Sequence, residues 1–523
     1  MLKAAPSPIL RRSVAALGLM LLAASLHSQP APLFHFEPKP GKYGVGLKVV
    51  QQYDHSRVYH SAVDAFGKPF TGERDRPLQT LIWYPAETGA ARPMTVKDYV
   101  DLLPSETDFD HPHAWEGLKP LADGMKPAYA SPMMSVRDAR AASGRFPVIV
   151  YEPSLNAMSW ENADLCEYLA SNGYVVIAVP EFAARTRAVG PDHRIVDAEA
   201  EAGDIEFLIG YAKTLPDTDM SKVAVAGFSW GGMGNLFAAA KDSRIRAMAE
   251  LDTSFRYYPG YVKDAGFVHP EQMTIPLLYL SHGEVSMEQT QAVFQNLPGA
   301  TGPSVLNAWT HGDLIYVNML PFLHAEFSSM FQRSEDVWKN YPNNHVADYS
   351  REDGTVGYAF VAHYVLAFFD SYLKGDAAGT AFLKNTPAEN GAPPHFISVV
   401  YRKARGFDPT VDTLKIEAGK QGFDHLDAIY AAMKKDTPDF KPDQAEMGSW
   451  ADDLIATGHL PEAIAVLKLN VAANPDARGG YAALGDAYAA AGQKDLAIQS
   501  YKKQLEMTPG NPAVADKLKE LSK

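Results

Sequence analysis

From residue 146 onward the chain repeats one alternation: a short continuous apolar run, a helix-length stretch, then another apolar run. Phe146-Pro-Val-Ile-Val-Tyr151, Tyr174-Val-Val-Ile-Ala-Val179 and Lys222-Val-Ala-Val-Ala226 lack the polar alternation of a half-solvated strand. Runs of that kind are strands covered on both faces. The segments 162–171 and 198–215 have helical spacing and stop at Asn172-Gly173 and Pro216. Strand–helix order with doubly buried strands leaves few architectures, chiefly a mostly parallel sheet with helices on both sides. Segments 246–251, 275–280 and 304–309 are predicted to extend the sheet, and an apolar helix over 357–373 to close it. Two earlier strands, 45–50 and 78–84, precede an irregular insertion running from about 86 to 145.

At 523 residues more than one core is expected. Residues 1–28 read as a secretory signal peptide. Lys3, Arg11 and Arg12 precede an apolar run over 13–26, too short to span a bilayer. Cleavage near Ser25 or Ser28 would leave a periplasmic or secreted chain with no membrane span. Lys and Arg total 48 against 62 acids, a net charge of -14, and no basic run stands out, which argues against nucleic acid as a partner. The sole cysteine, Cys166, excludes an intramolecular disulfide and lies on a predicted apolar helix face, where a buried small hydrophobe is expected.

The expected organisation is a catalytic domain over 30–376, a linker with one helix over 377–441, and a helical domain over 442–523. In the last, Gly485, Tyr488, Gly492, Ala497, Tyr501 and Pro509 match Ala451, Leu454, Gly458, Ala463, Leu467 and Pro475, each 34 residues earlier. That period and residue order resemble the tetratricopeptide repeat, with 513–521 as a capping helix. The resemblance implies a protein partner for this region; the bland alternative is a pair of helical hairpins with none.

The chemistry centres on Val223-Ala-Val-Ala-Gly-Phe-Ser-Trp-Gly-Gly-Met-Gly-Asn235. A buried strand enters a glycine turn and leaves as a helix, the context in which G-x-S-x-G presents a nucleophilic serine. Glycines 227 and 231 remove Cβ atoms where the bend is tight, and Ser229 stands at its apex over a helix N-terminus. Serine needs a base, and the base needs an acid to fix its tautomer. With a nucleophile at such a turn the chain order is serine, acid, histidine, and the histidine follows the last strand. His311, directly after 304–309, is therefore the expected base. His324 is expected on a helix, packed or at the surface; His363 reads as core, and His282 comes too early. His111 and His113 read as loop residues rather than metal ligands. Asp252 and Glu284 each follow a strand end on the same rim; Asp252 abuts its strand and is the preferred acid. Asp313 reads as a helix cap. The oxyanion donors expected are the N–H groups of Trp230 and Leu155.

These residues resemble an α/β-hydrolase of the dienelactone hydrolase and platelet-activating-factor acetylhydrolase type over about 43–373. Tyr43-Gly-Val-Gly46, Ile82-Trp-Tyr-Pro85, Gly227-Phe-Ser-Trp-Gly231, Leu251-Asp252 and Thr310-His311 carry the resemblance. The acetylhydrolase branch implies Asp252 as the acid, and the dienelactone branch implies Glu284. The dienelactone branch uses a cysteine nucleophile, where this chain has Ser229. The resemblance implies an oxyanion loop that is usually His-Gly rich, where this chain has Pro153-Ser154. The expected function is hydrolysis of a small carboxylic ester through an acyl-enzyme, without metal or organic cofactor. The rival expectations are an interaction protein with an idle hydrolase half, and a peptidase on the same fold. Trp160, Phe182, Phe255, Tyr257 and Tyr258 are candidates for an acyl pocket or for ordinary core.

Overall fold

The computed structural model describes residues 34–113, 116–188, 195–283, 299–335, 337, 348–406 and 408–523. The expected signal peptide and Glu284 lie outside them. The chain divides into two units at Arg405 and Gly406.

The first unit is built on one sheet. In chain order its strands are β1 (Gly44–Val58), β2 (Asp75–Glu87), β3 (Ser135–Arg137), β4 (Arg140–Ala141), β5 (Phe146–Glu152) and β6 (Val175–Ala178). They continue with β7 (Thr218–Phe228), β8 (Ile245–Leu251), β9 (Leu277–His282), β10 (Leu314–Met319) and β11 (Ile397–Arg402). The order across the sheet is β11-β10-β9-β8-β7-β5-β6-β2-β1-β3, with β4 paired to β2. From β6 to β10 every pairing is parallel, while β2 on one flank and β11 on the other join antiparallel. The all-apolar runs of the sequence sit in the middle. Val148, Ile149, Val150, Val223, Ala224 and Val225 are each 0% exposed, as two helical layers require. Helices Ala163–Ser171, Ile195–Ala212, Gly231–Lys241 and Arg351–Phe369 supply those layers. Cys166 is fully buried in the core.

Two expectations change here. Segment 304–309 is not a strand: Ser304 accepts a hydrogen bond from the Asn307 N–H and caps a one-turn helix, Val305–Ala308. The strand on that side is β10, five residues further on, and Asp313 at its foot caps no helix. The Asp313 carboxylate accepts hydrogen bonds from Tyr372, Tyr401, Lys403 and the Ala404 N–H. Nor is 377–441 a linker. It holds the helix Ala377–Lys384, then β11, then two helices, Val411–Gln421 and Leu426–Asp436, that belong to the second unit.

The second unit is entirely helical among its described residues. Five further helices follow: Gln444–Ala456, Leu460–Ala473, Gly480–Ala490, Lys494–Met507 and Pro512–Leu521. Leu414, Met447, Trp450, Leu467, Leu484 and Tyr501 share its core. A Cβ at Gly485 would lie 2.6 Å from the Tyr501 ring, so the glycine is what lets these two helices close on each other.

Candidate active site

The adjacent parallel strands β7, β8, β9 and β10 end on one rim of the sheet, where open α/β sheets bind ligands. Ser229 follows β7, Asp252 follows β8, His282 ends β9, and His324 follows β10 across a short loop. The register lines them up: Phe228 pairs with Leu251, Leu251 with Leu280, and His282 with Met319.

The serine turn is strained as the motif demands. Ser229 has φ of +54°, a left-handed conformation uncommon for a residue with a Cβ. Its neighbours hold it there. The Ser229 N–H donates to Leu251 O at 3.1 Å, and the Ser254 N–H donates to Ser229 O at 2.7 Å. Glycine is obligatory at 231, where a Cβ would come within 2.5 Å of the carbonyl oxygens of Glu152 and Pro153. Asp252 is a second left-handed residue, with φ of +47°, and its N–H donates to Leu280 O at 2.7 Å.

His324 Nε2 lies 2.8 Å from Ser229 Oγ, and its Nδ1 lies 2.6 Å from Asp252 Oδ2. With Nδ1 protonated toward the carboxylate, Nε2 presents its lone pair to the hydroxyl. The imidazole packs on the Phe228 ring, with centroids 4.8 Å apart. Its turn is fixed by Glu326, which accepts the Leu323 N–H at 2.9 Å. Asp252 is completely buried. Burial alone would raise its pKa, but the charge and hydrogen bond of His282, with those of His324, hold it well below the usual carboxylate range. It is ionised throughout the neutral range.

The structure brings Ser229 and Asp252 together, as expected, but joins them through His324. His311 lies elsewhere: it precedes the start of β10, whereas His324 follows its end, and its Nδ1 is 3.0 Å from Arg405 O. The physical reason is the misread strand: the histidine does follow the last parallel strand, but that strand is β10. Leu314-Ile-Tyr-Val-Asn-Met319, rich in β-branched and aromatic residues and followed by Pro321, carried the signal. His282 was also missed. Its Nδ1 lies 2.6 Å from the same Asp252 oxygen, and the Tyr257 hydroxyl donates to the other oxygen at 2.5 Å.

Ligand atoms of Asp252, His282 and His324 fall within 4.8 Å of one another, close enough to chelate an ion. Both Nδ1 atoms also stand at hydrogen-bond distance, 2.6 Å, from Asp252 Oδ2.

Trp230 opens the helix Gly231–Lys241 directly after the serine. Across from it runs the loop after β5. There the Ser154 N–H donates to Glu161 at 2.8 Å and the Asn156 N–H to Glu181 at 2.5 Å. Leu155 lies between these two anchored residues, and Asn156 itself has φ of +60°. Trp160, Phe182, Phe255 and Tyr257 are at most 6% exposed, so they are core rather than an open lining.

Residues 135–284 match the family model described as "Dienelactone hydrolase family". A relative from Methylorubrum extorquens named "Putative carboxymethylenebutenolidase" is 26% identical over 197 residues, which is 36% of this chain and 64% of that protein. The chain therefore spans slightly under two thirds of that relative's length. The solved structure of a ferulic acid esterase from Streptomyces cinnamoneus aligns over 71% of this chain and 98% of its own, at 19% identity and a TM-score of 0.49. The family match runs from β3 to β9 and includes the serine turn, and the mostly parallel, helix-covered sheet of the first unit is that of the α/β-hydrolase fold.

Proposed function

We propose that the first unit is a serine hydrolase of small carboxylic esters. Ser229 Oγ attacks the ester carbonyl while His324 Nε2 takes its proton. Asp252 holds the ring in the productive tautomer and stabilises the imidazolium. The N–H groups of Trp230 and Leu155 receive the oxyanion. His324 returns the proton to the leaving alcohol, and water, activated by the same ring, releases the acid. No metal or organic cofactor enters these steps. The observation that carries the reading is the unbroken hydrogen-bond chain Ser229–His324–Asp252 at 2.8 and 2.6 Å.

A fluorophosphonate probe tests it: wild type is expected to be labelled at Ser229, and Ser229→Ala to resist labelling. An unlabelled wild type would favour the rival in which the hydrolase half is idle and the helical unit alone acts. Turnover of a panel of open-chain esters and a dienelactone, set against anilides, separates esterase from peptidase; ester turnover is expected to dominate. The relative's name is what brings the lactone into the panel.

Export to the periplasm or medium is part of the proposal and rests on the basic and apolar N-terminal segment. Sequencing the mature N-terminus is expected to begin just after Ser25 or Ser28. The helical unit is proposed to dock a protein partner as a tetratricopeptide-like module. Its support is the spacing of helices Leu460–Ala473 and Lys494–Met507, which start and end 34 residues apart.

A further inference from the structure

Asp252 serves two imidazoles. Its Oδ2 lies 2.6 Å from the Nδ1 of His324 and equally 2.6 Å from the Nδ1 of His282. Its Oδ1 accepts the Tyr257 hydroxyl at 2.5 Å and the His282 backbone N–H at 3.4 Å. Sheet order causes the arrangement. His282 ends β9, which lies between the strand leading to Asp252 and the strand leading to His324. One carboxylate on one ring suffices to fix a catalytic tautomer, so the second ring asks for an explanation.

We propose, resting on the serine-hydrolase reading, that His282 is a positioning residue that shares the Asp252 carboxylate with His324, so that the hydrolase works only while His282 is neutral. When Ser229 attacks, His324 becomes an imidazolium and draws on the negative charge of Asp252. A neutral His282 donates one hydrogen bond and leaves that charge in place. A protonated His282 cancels it and sets a like charge beside the ring that must accept the next proton. Two rings therefore compete for the charge of one carboxylate.

The described groups facing His282 come from four elements. They are Asp252 after β8, Arg256 and Tyr257 on the turn that follows, Ser281 on its own strand, and His324 after β10. Arg256 donates to the Ser281 hydroxyl, its guanidinium lies 5.4–5.9 Å from the ring centroids of Tyr257, Tyr279 and Tyr316, and it feels the charge of Asp252. Burial, and more weakly Arg256, pull the His282 pKa down, but the charge and hydrogen bond of Asp252 outweigh them and hold it above the ordinary imidazole value. A raised value means that the ring is charged below it and neutral above it. The inactive form therefore gathers on the acid side.

The test is the pH dependence of kcat/KM on a small ester for wild type, His282→Gln and Tyr257→Phe. Wild type and Tyr257→Phe are expected to show two ionisations on the acid limb, and His282→Gln a single one. A single ionisation in wild type, or two surviving in His282→Gln, overturns the proposal. A histidine-labelled NMR titration of wild type reads the same coupling without turnover and covers the case in which His282→Gln fails to fold. The His282 curve should show two inflections, and a single inflection would refute the coupling. Absence of all esterase activity with two inflections in the His282 curve would instead count against the function, not against the shared carboxylate.

Discussion

At the scale of residues the site is decided by which histidine reaches Ser229. His324 Nε2 does so at 2.8 Å, whereas His311 is engaged with Arg405 O. On the proposed mechanism His324→Gln is expected to lower kcat by about 10⁴–10⁶-fold, because the general base is lost. His311→Gln should stay within about twofold, since it touches no reacting atom. Steady-state kinetics on one ester checks both. Asp252→Asn should cost roughly 10⁴-fold in kcat with little change in KM, as the tautomer that serves Ser229 is lost. Ser229 and Asp252 were legible in the sequence because each abuts an apolar run that can only be a buried strand. His324 was not, because the loop between β10 and its turn leaves no spacing rule to follow. His282 was set aside for its place in chain order, although proximity in the sheet, not order, brings it to Asp252.

At the scale of elements the serine turn depends on close backbone approach. Gly231→Ala would drive a Cβ to 2.5 Å from two carbonyl oxygens of the neighbouring loop, which cannot swing aside like a side chain. We expect it to cost about 1–3 kcal/mol in denaturant unfolding. It should also lower kcat more than it raises KM, since the displaced loop carries Leu155. The central strands were readable from continuous apolar runs. The exception was the pair of segments 304–309 and 314–319. Both are short and apolar, and a run of about six residues carries too few turns of any period to separate one helical turn from a strand. Ser304 and Asn307, a capping pair, tip the first toward helix. In the helical unit Gly485 lies against the Tyr501 ring, a close approach of two helices that a small residue permits.

At the scale of the whole molecule, buried carboxyls set the response to pH. Burial, only partly offset by hydrogen bonds, raises Glu106, Glu161, Glu167 and Glu181 to about 7, and Glu326 to about 8. Such groups bind more protons folded than unfolded, so the stability they contribute is complete below the unfolded value near 4.5 and is lost as pH rises through 7 to 8. His60 and His363, lowered by burial, act in the other direction, but they are fewer. The melting temperature is therefore expected to fall as pH is raised from about 5 to about 8, and a series of thermal scans in matched buffers checks it. None of this could be read beforehand, since burial of an acid is a property of the packed interior.

The division of the chain also escaped the sequence, because β11 is a single strand set among polar, helix-forming segments. Its pairing with β10 covers what would otherwise be a row of open amides and carbonyls on an apolar strand. A chain cut at residue 376, where composition suggests a boundary, should aggregate on expression, whereas one cut at 405 should stay in solution; sedimentation of the two lysates distinguishes them. The same geometry governs birth on the ribosome. Residues 320–396 must emerge after β10 before its partner strand exists, a wait of roughly 4–15 s at ordinary elongation rates, during which the nascent sheet has an unfinished border that other nascent chains can join.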